Sequence, residues 1–211
     1  IQGYGGAVYA RSAGNMSSTY NFYISNNATN GNGGAIYVSS RAAFMSTSDN
    51  IKNNTVAASG GNGGGLYVEE EGTVRMDSTI FKYHNVSEYG GSIYLSSGAN
   101  VTILNNEISE SAAVSGAGIY LTGVDTYLAL SGSSIVSNTA SSSGGGVYGK
   151  CACTGVDVSA RHARASRTAS VDAPRMLIVT ASFWHISTKS LTAMVAMPVA
   201  VVAVHCGGGG G

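Results

Sequence analysis

The chain has 211 residues with 11 basic and 11 acidic side chains, so its formal net charge at neutral pH is zero. Charged residues are only 10% of the total, which excludes a polybasic nucleic-acid binder or membrane-surface protein. Apolar residues reach 44% and are phased along the chain, so the Gly, Ser, Asn and Thr content does not mean disorder.

The first repeat opens with Gly5-Gly6-Ala7-Val8-Tyr9. The same five-residue pattern returns at Gly33-Gly34-Ala35-Ile36-Tyr37, Gly63-Gly64-Gly65-Leu66-Tyr67 and Gly90-Gly91-Ser92-Ile93-Tyr94. It returns again at Gly116-Ala117-Gly118-Ile119-Tyr120 and Gly144-Gly145-Gly146-Val147-Tyr148. The tyrosines are spaced 28, 30, 27, 26 and 28 residues apart. A fixed period of this length marks a solenoid, in which each repeat buries its apolar side only by stacking on its neighbours.

Paired glycines mark a sharp corner. The residues after them alternate as a strand does. The aliphatic places Val8, Ile36, Leu66, Ile93, Ile119 and Val147 are expected to point inward. So are Ala10, Val38, Val68, Leu95, Leu121 and Gly149, two residues on. The period leaves no room for a helix, so each coil is predicted to hold two or three short strands joined by turns. Further along each coil runs an Ile-x-x-Asn pattern: Ile24 to Asn27, Ile51 to Asn54 and Ile135 to Asn138, with Ser111 replacing Asn after Ile108. Asn85 fills the Asn place after Lys82. Asn at a turn tolerates left-handed backbone angles and forms ladders between stacked coils.

The Gly-Gly-Ala-Ile and aliphatic-x-x-Asn motifs of residues 1–150 resemble the repeats of the chlamydial polymorphic outer-membrane proteins. More broadly they resemble the pectate-lyase-like group of surface proteins. The resemblance implies an all-β fold, a right-handed parallel β-helix with coils of about 26–30 residues. It is weak on function, because this solenoid carries enzymes, adhesins and structural fibres.

Three assignments of function-bearing residues follow. The outward tyrosines Tyr9, Tyr37, Tyr67, Tyr94, Tyr120 and Tyr148 would form an aromatic strip. Small residues before them would leave a shallow groove, suited to a sugar or a second subunit, or the strip serves only cross-strand contact. Five glycosylation sequons begin at Asn15, Asn27, Asn53, Asn85 and Asn100. Asn15 and Asn100 are favoured, each six residues after its tyrosine and so on one face. Asn27 and Asn85 are excluded if their ladder is internal. No catalytic cluster is expected: Asp49, Asp77 and Asp125 sit at different phases, and His84 reads as a turn residue. Glu69-Glu70-Glu71 reads as a solvated turn rather than a calcium site.

After Lys150 the composition changes: all three cysteines, both prolines and the one Trp lie beyond it. Residues 151–206 are readable as degenerate further coils with a cap, as a small subdomain, or as a stretch in a shifted reading frame. In the first case Met176 to Val179 and Val199 to Val204 supply strands. Cys151, Cys153, Cys206 and His205 match no strong zinc spacing; a disulfide to Cys206 is the alternative. Residues 207–211 are five glycines that read as a placeholder. The apolar run from Leu191 to Val204 is shorter than a membrane span. Ile1 already lies inside a repeat, with no initiator Met and no visible signal peptide.

The expectation is therefore an extracellular or cell-surface structural protein, glycosylated, without cofactor or metal. It is not expected to be an enzyme. Its partners would be further copies in a filament or surface assembly, and glycans. The alternatives are a carbohydrate-binding adhesin using the tyrosine strip, or a polysaccharide lyase or hydrolase.

Overall fold

The computed structural model describes residues 4–29, 31–57, 59–150, 155–159, 162–164 and 203–205. Every paired strand is parallel and hydrogen-bonds to the next coil, as in a β-solenoid. One sheet stacks Val8–Ala10, Ile36–Val38, Leu66–Val68, Ile93–Leu95, Ile119–Thr122, Val147–Lys150 and Ala203–His205. A second stacks Asn15–Thr19, Ala43–Thr47, Thr73–Asp77, Asn100–Leu104, Tyr127–Ser131 and Gly155–Ser159. A third stacks Phe22–Ile24, Asn50–Lys52, Ile80–Lys82, Glu107–Ser109, Ser134–Val136 and His162–Arg164. The return to the next glycine pair is irregular, with short pairings such as Asn27–Ala28 on Thr55–Val56. The readings of Met176 to Val179, of the cysteines and of 207–211 lie outside the described residues, whereas Ala203–His205 is a strand of the first sheet.

The expected tyrosine register holds, coil by coil, from Tyr9 on Tyr37 through to Tyr120 on Tyr148. The core is a column of mostly aliphatic side chains from all three sheets, including Ile36, Ile93 and Ile119 from the first, Phe44, Val74 and Val101 from the second, and Ile51, Phe81 and Ile108 from the third. These are fully buried, and each contributes roughly 1.5–3 kcal/mol relative to exposure.

Geometry demands glycine at the first place of each pair and a very small residue at the second, which is Ala117 in one coil. Gly33 has φ +71°, and a Cβ there would lie 2.4 Å from the Ile36 carbonyl oxygen. A Cβ on Gly34 would lie 2.2 Å from the Gly64 carbonyl oxygen of the next coil. Other corners are also left-handed but carry mostly ordinary residues: Tyr20, Ser48, Ser78 and Asn105 at one, where Gly132 stands in a further coil, and Ser25, Asn53, Tyr83, Glu110 and Ser137 at another. Stacked backbone hydrogen bonds hold these residues in place, for example Ser48 N–H to Asp77 O at 2.9 Å.

Two polar ladders run inside the solenoid. In the first, Asn26 N–H donates to Asn54 Oδ1 at 2.8 Å and Asn54 N–H to His84 Nδ1 at 3.2 Å. His84 N–H then donates to Ser111 Oγ at 3.2 Å, and Ser111 N–H to Asn138 Oδ1 at 3.0 Å. The amides of Asn54 and Asn138 donate in turn to the carbonyls of Tyr23 and Ile108. This corrects the alignment expected from sequence. The first coil enters the ladder with Asn26, not Asn27, and the third with His84, not Asn85. Their core residues are Tyr23 and Phe81, which pair with Ile51, while Ile24 and Lys82 pair with Lys52. A slip of one residue exchanges the faces of a strand. Ile24 is accordingly exposed.

The second ladder sits at the corner before the third sheet. Asp49 accepts from Asn21 N–H and from Ser46 Oγ at 2.8 and 2.7 Å. Thr79 N–H donates to Asn106 Oδ1 at 2.8 Å and Asn106 N–H to Ser133 Oγ at 3.1 Å. Asp49 is fully buried, so these donors are what its carboxyl has in exchange for water.

Candidate functional site

The tyrosines of the first sheet lie outside the aliphatic core and stack on one another. Ring centroids are 5.3 Å apart for Tyr9–Tyr37, Tyr37–Tyr67 and Tyr94–Tyr120, 4.7 Å for Tyr67–Tyr94, and 5.4 Å for Tyr120–Tyr148. From Tyr37 to Tyr120 the rings lie within 6° of parallel. The cause is the register: equivalent side chains sit one strand spacing apart, and offset stacking of rings at that distance is favourable. Tyr4 packs on Tyr37 and Tyr89 on Tyr120, at 4.7 and 4.6 Å, from the turns alongside.

Stacking changes what the column can do. Tyr37, Tyr67 and Tyr120 are only 4–6% exposed, Tyr94 and Tyr148 are half-buried, and Tyr9 is exposed at the first coil. Each inner ring face is covered by the next ring, so the expected open strip is a closed stack. The expected groove is also absent here. Ala35, Gly65 and Ser92 face inward: Ala35 belongs to the core, Ser92 Oγ bonds to Ser111 Oγ, and a Cβ on Gly65 would strike Phe81. Those places are small because the third sheet presses against them.

Glu69 joins two coils of the column. The hydroxyls of Tyr37 and Tyr67 both donate to its carboxylate, the second at 3.0 Å. Burial, with the hydrogen bond and negative charge of Glu69, holds Tyr37 well above the usual phenol range. Burial and the charge of Glu69 raise Tyr67 in the same way. Burial pushes Tyr94 up to about 12 and also raises Tyr120. The turn expected at Glu69-Glu70-Glu71 is present, with Glu70 and Glu71 at φ 50° and 60°. Ser40 Oγ donates to Glu70 at 2.6 Å, and Arg41 pairs with Glu71 at 2.8 Å. That ion pair is exposed and adds little.

The carboxylates weighed for catalysis do not converge. Asp49 is sealed in the second ladder, Asp77 bonds Ser78 and Asn105 at an outer corner, and Asp125 occupies a left-handed turn. Among the described residues no three His, Cys, Asp or Glu side chains are grouped to hold a metal ion. His84, read as a turn residue, is instead buried in the first ladder. Burial lowers its pKa to about 4, and its Nε2 has no hydrogen-bond partner among the described residues.

All five sequon asparagines are exposed. Asn15 and Asn100 share one column, through Ala43 and Thr73. Asn27 and Asn85 share another through Thr55. The ladder objection to these two falls with the corrected register. Asn53 stands at a left-handed corner with φ 51°.

Fold and surface together define a β-solenoid protein built on stacked coils with internal polar ladders. A family described as "Right handed beta helix region" matches residues 42–160, more than half of the chain, and the chain belongs to that family. No curated protein and no solved structure matches it significantly.

Proposed function

We propose that this protein is an extracellular structural β-helix, a glycosylated building block of a cell-surface appendage, filament or wall that assembles through coil ends or faces. The observation that carries this reading is the outer surface, where all five sequon asparagines are exposed and four of them fall in two columns along a rod. The likeness of the Gly-Gly repeats to polymorphic outer-membrane proteins supports a surface location.

Among the described residues the first coil is an edge of all three sheets. Its strands Val8–Ala10, Asn15–Thr19 and Phe22–Ile24 each pair on one side only. Tyr9, Met16, Tyr20, Phe22 and Ile24 are exposed along them. Such an edge accepts another coil in register, from a further stretch of the same protein or from a second copy.

Negative-stain electron microscopy of the secreted protein, with and without enzymatic deglycosylation, tests the reading. Rods joined end to end, and a mobility shift on deglycosylation, are expected. Dispersed monomers would remove the assembly claim. Unshifted mobility would remove the glycan claim.

A further inference from the structure

The tyrosine column has a property that neither packing nor assembly requires. Seven rings, from Tyr4 and Tyr9 to Tyr148, form one unbroken series of ring contacts across six coils. Tyr4 and Tyr9, at the first coil, are about half exposed, at 45% and 47%. Tyr37 and Tyr67 are buried, and both direct their hydroxyl protons at the single carboxylate of Glu69.

Tyrosine is among the side chains most readily oxidised by one electron. Its oxidation becomes easy when a base takes the phenol proton at the same time. Electronic contact between stacked rings lets the vacancy move from one to the next. Stacked phenols with an exposed entry and an internal proton acceptor are the parts such chemistry needs.

We propose that the tyrosine column is a one-electron oxidation relay: an oxidising equivalent enters at exposed Tyr4 or Tyr9, passes along the stacked rings, and rests on Tyr37 or Tyr67 as the phenol proton moves to Glu69. The oxidant is a diffusing one-electron acceptor of the kind a peroxidase intermediate provides. It gains one electron. The Tyr O–H bond breaks, the proton bonds to a Glu69 carboxylate oxygen, and a neutral phenoxyl radical remains. The relay is independent of assembly, since every ring in it belongs to one chain.

The test is photo-oxidation of the full chain by tris(bipyridyl)ruthenium with persulfate, followed by freeze-trapping and electron paramagnetic resonance. The wild-type protein is expected to give a persistent tyrosyl signal, sheltered from solvent. The double variant Tyr37→Phe, Tyr67→Phe keeps the rings but is expected to lose that signal. Glu69→Gln keeps the outline of the carboxyl group without its basicity, and should shorten the signal's lifetime several-fold. Replacing the exposed Tyr20 and Tyr83 by Phe should leave it unchanged. Circular dichroism checks that each variant is folded, and the Glu69→Gln lifetime is decisive if the double variant is not. Absence of a persistent signal in the wild type would overturn the relay. So would an undiminished signal in either column variant, or its loss with Tyr20 and Tyr83.

Discussion

His84 is the one titratable residue in the first internal ladder, and replacing it by Asn isolates its effect. In the folded chain its pKa is lowered to about 4 by burial, against about 6.5 for a solvated imidazole. The unfolded chain therefore binds the proton first as pH falls. Stability is fully present above about pH 6.5 and is lost progressively toward about pH 4. Each tenfold difference in proton affinity between the two states is worth about 1.4 kcal/mol, so the whole loss is about 3 kcal/mol, of which about 2 kcal/mol is gone by about pH 5. Asn at this place would take the role of Asn54 and Asn138: its Oδ1 accepts the N–H of the preceding ladder residue and its amide donates to a buried carbonyl. It carries no proton to gain. Urea unfolding followed by circular dichroism at about pH 7 and about pH 5 should show that His84→Asn abolishes about 2 kcal/mol of the acid loss. An unchanged difference between the two pH values in the variant would refute the reasoning.

Three further outcomes follow from the same geometry. The folded-state pKa values of Tyr37, Tyr67, Tyr94 and Tyr120 are raised. Their contribution to stability is therefore intact below about pH 10 and falls as the unfolded phenols ionise above it, which phenolate absorbance and unfolding midpoints will record together. Tyr67→Ala leaves a gap in the stack where a nearly buried ring stood, and should cost about 3 kcal/mol by chemical denaturation. Ser137→Gly relieves an exposed left-handed corner of φ 55° and should raise stability by about 1 kcal/mol in the same assay.

The solenoid was legible because the first glycine of each pair answers to a hard constraint, a carbonyl oxygen 2.1–2.8 Å from an added Cβ at Gly5, Gly33, Gly63, Gly90, Gly116 and Gly144, and so recurs without variation. The ladder was half legible. Asn54 and Asn138 follow an inward Ile, but in the first coil both Tyr23-x-x-Asn26 and Ile24-x-x-Asn27 fit the pattern. Only the pairing of Tyr23 with Ile51 chooses between them. His84 was hidden because an imidazole does the work of an amide oxygen, accepting an N–H through Nδ1. The second ladder carries its own signal: Asp49 and Asn106 each stand three residues after an inward-facing residue, Ser46 and Ile103. Four different residue types fill that place, which concealed the repeat. The outward tyrosines were legible as a column. Their burial was not, because it depends on rings closing over one another and on Tyr4 and Tyr89 packing from outside the motif.

The coils differ in length, and the difference is confined almost wholly to one side of the rod. From the second sheet to the third the count never changes: Met16 to Tyr23, Phe44 to Ile51, Val74 to Phe81, Val101 to Ile108 and Leu128 to Ile135 all span seven residues. From the third sheet back to the next tyrosine the count runs 14, 16, 13, 12 and 13. The second ladder and the left-handed corner beside it fix the first interval, because one added residue would turn every following side chain to the wrong face. The return segment is locked only at its start, by the first ladder and the left-handed residues before it, and not beyond. It is the side on which a coil can lengthen without disturbing its neighbours, and the place where a family of such rods can acquire new loops while keeping the same frame.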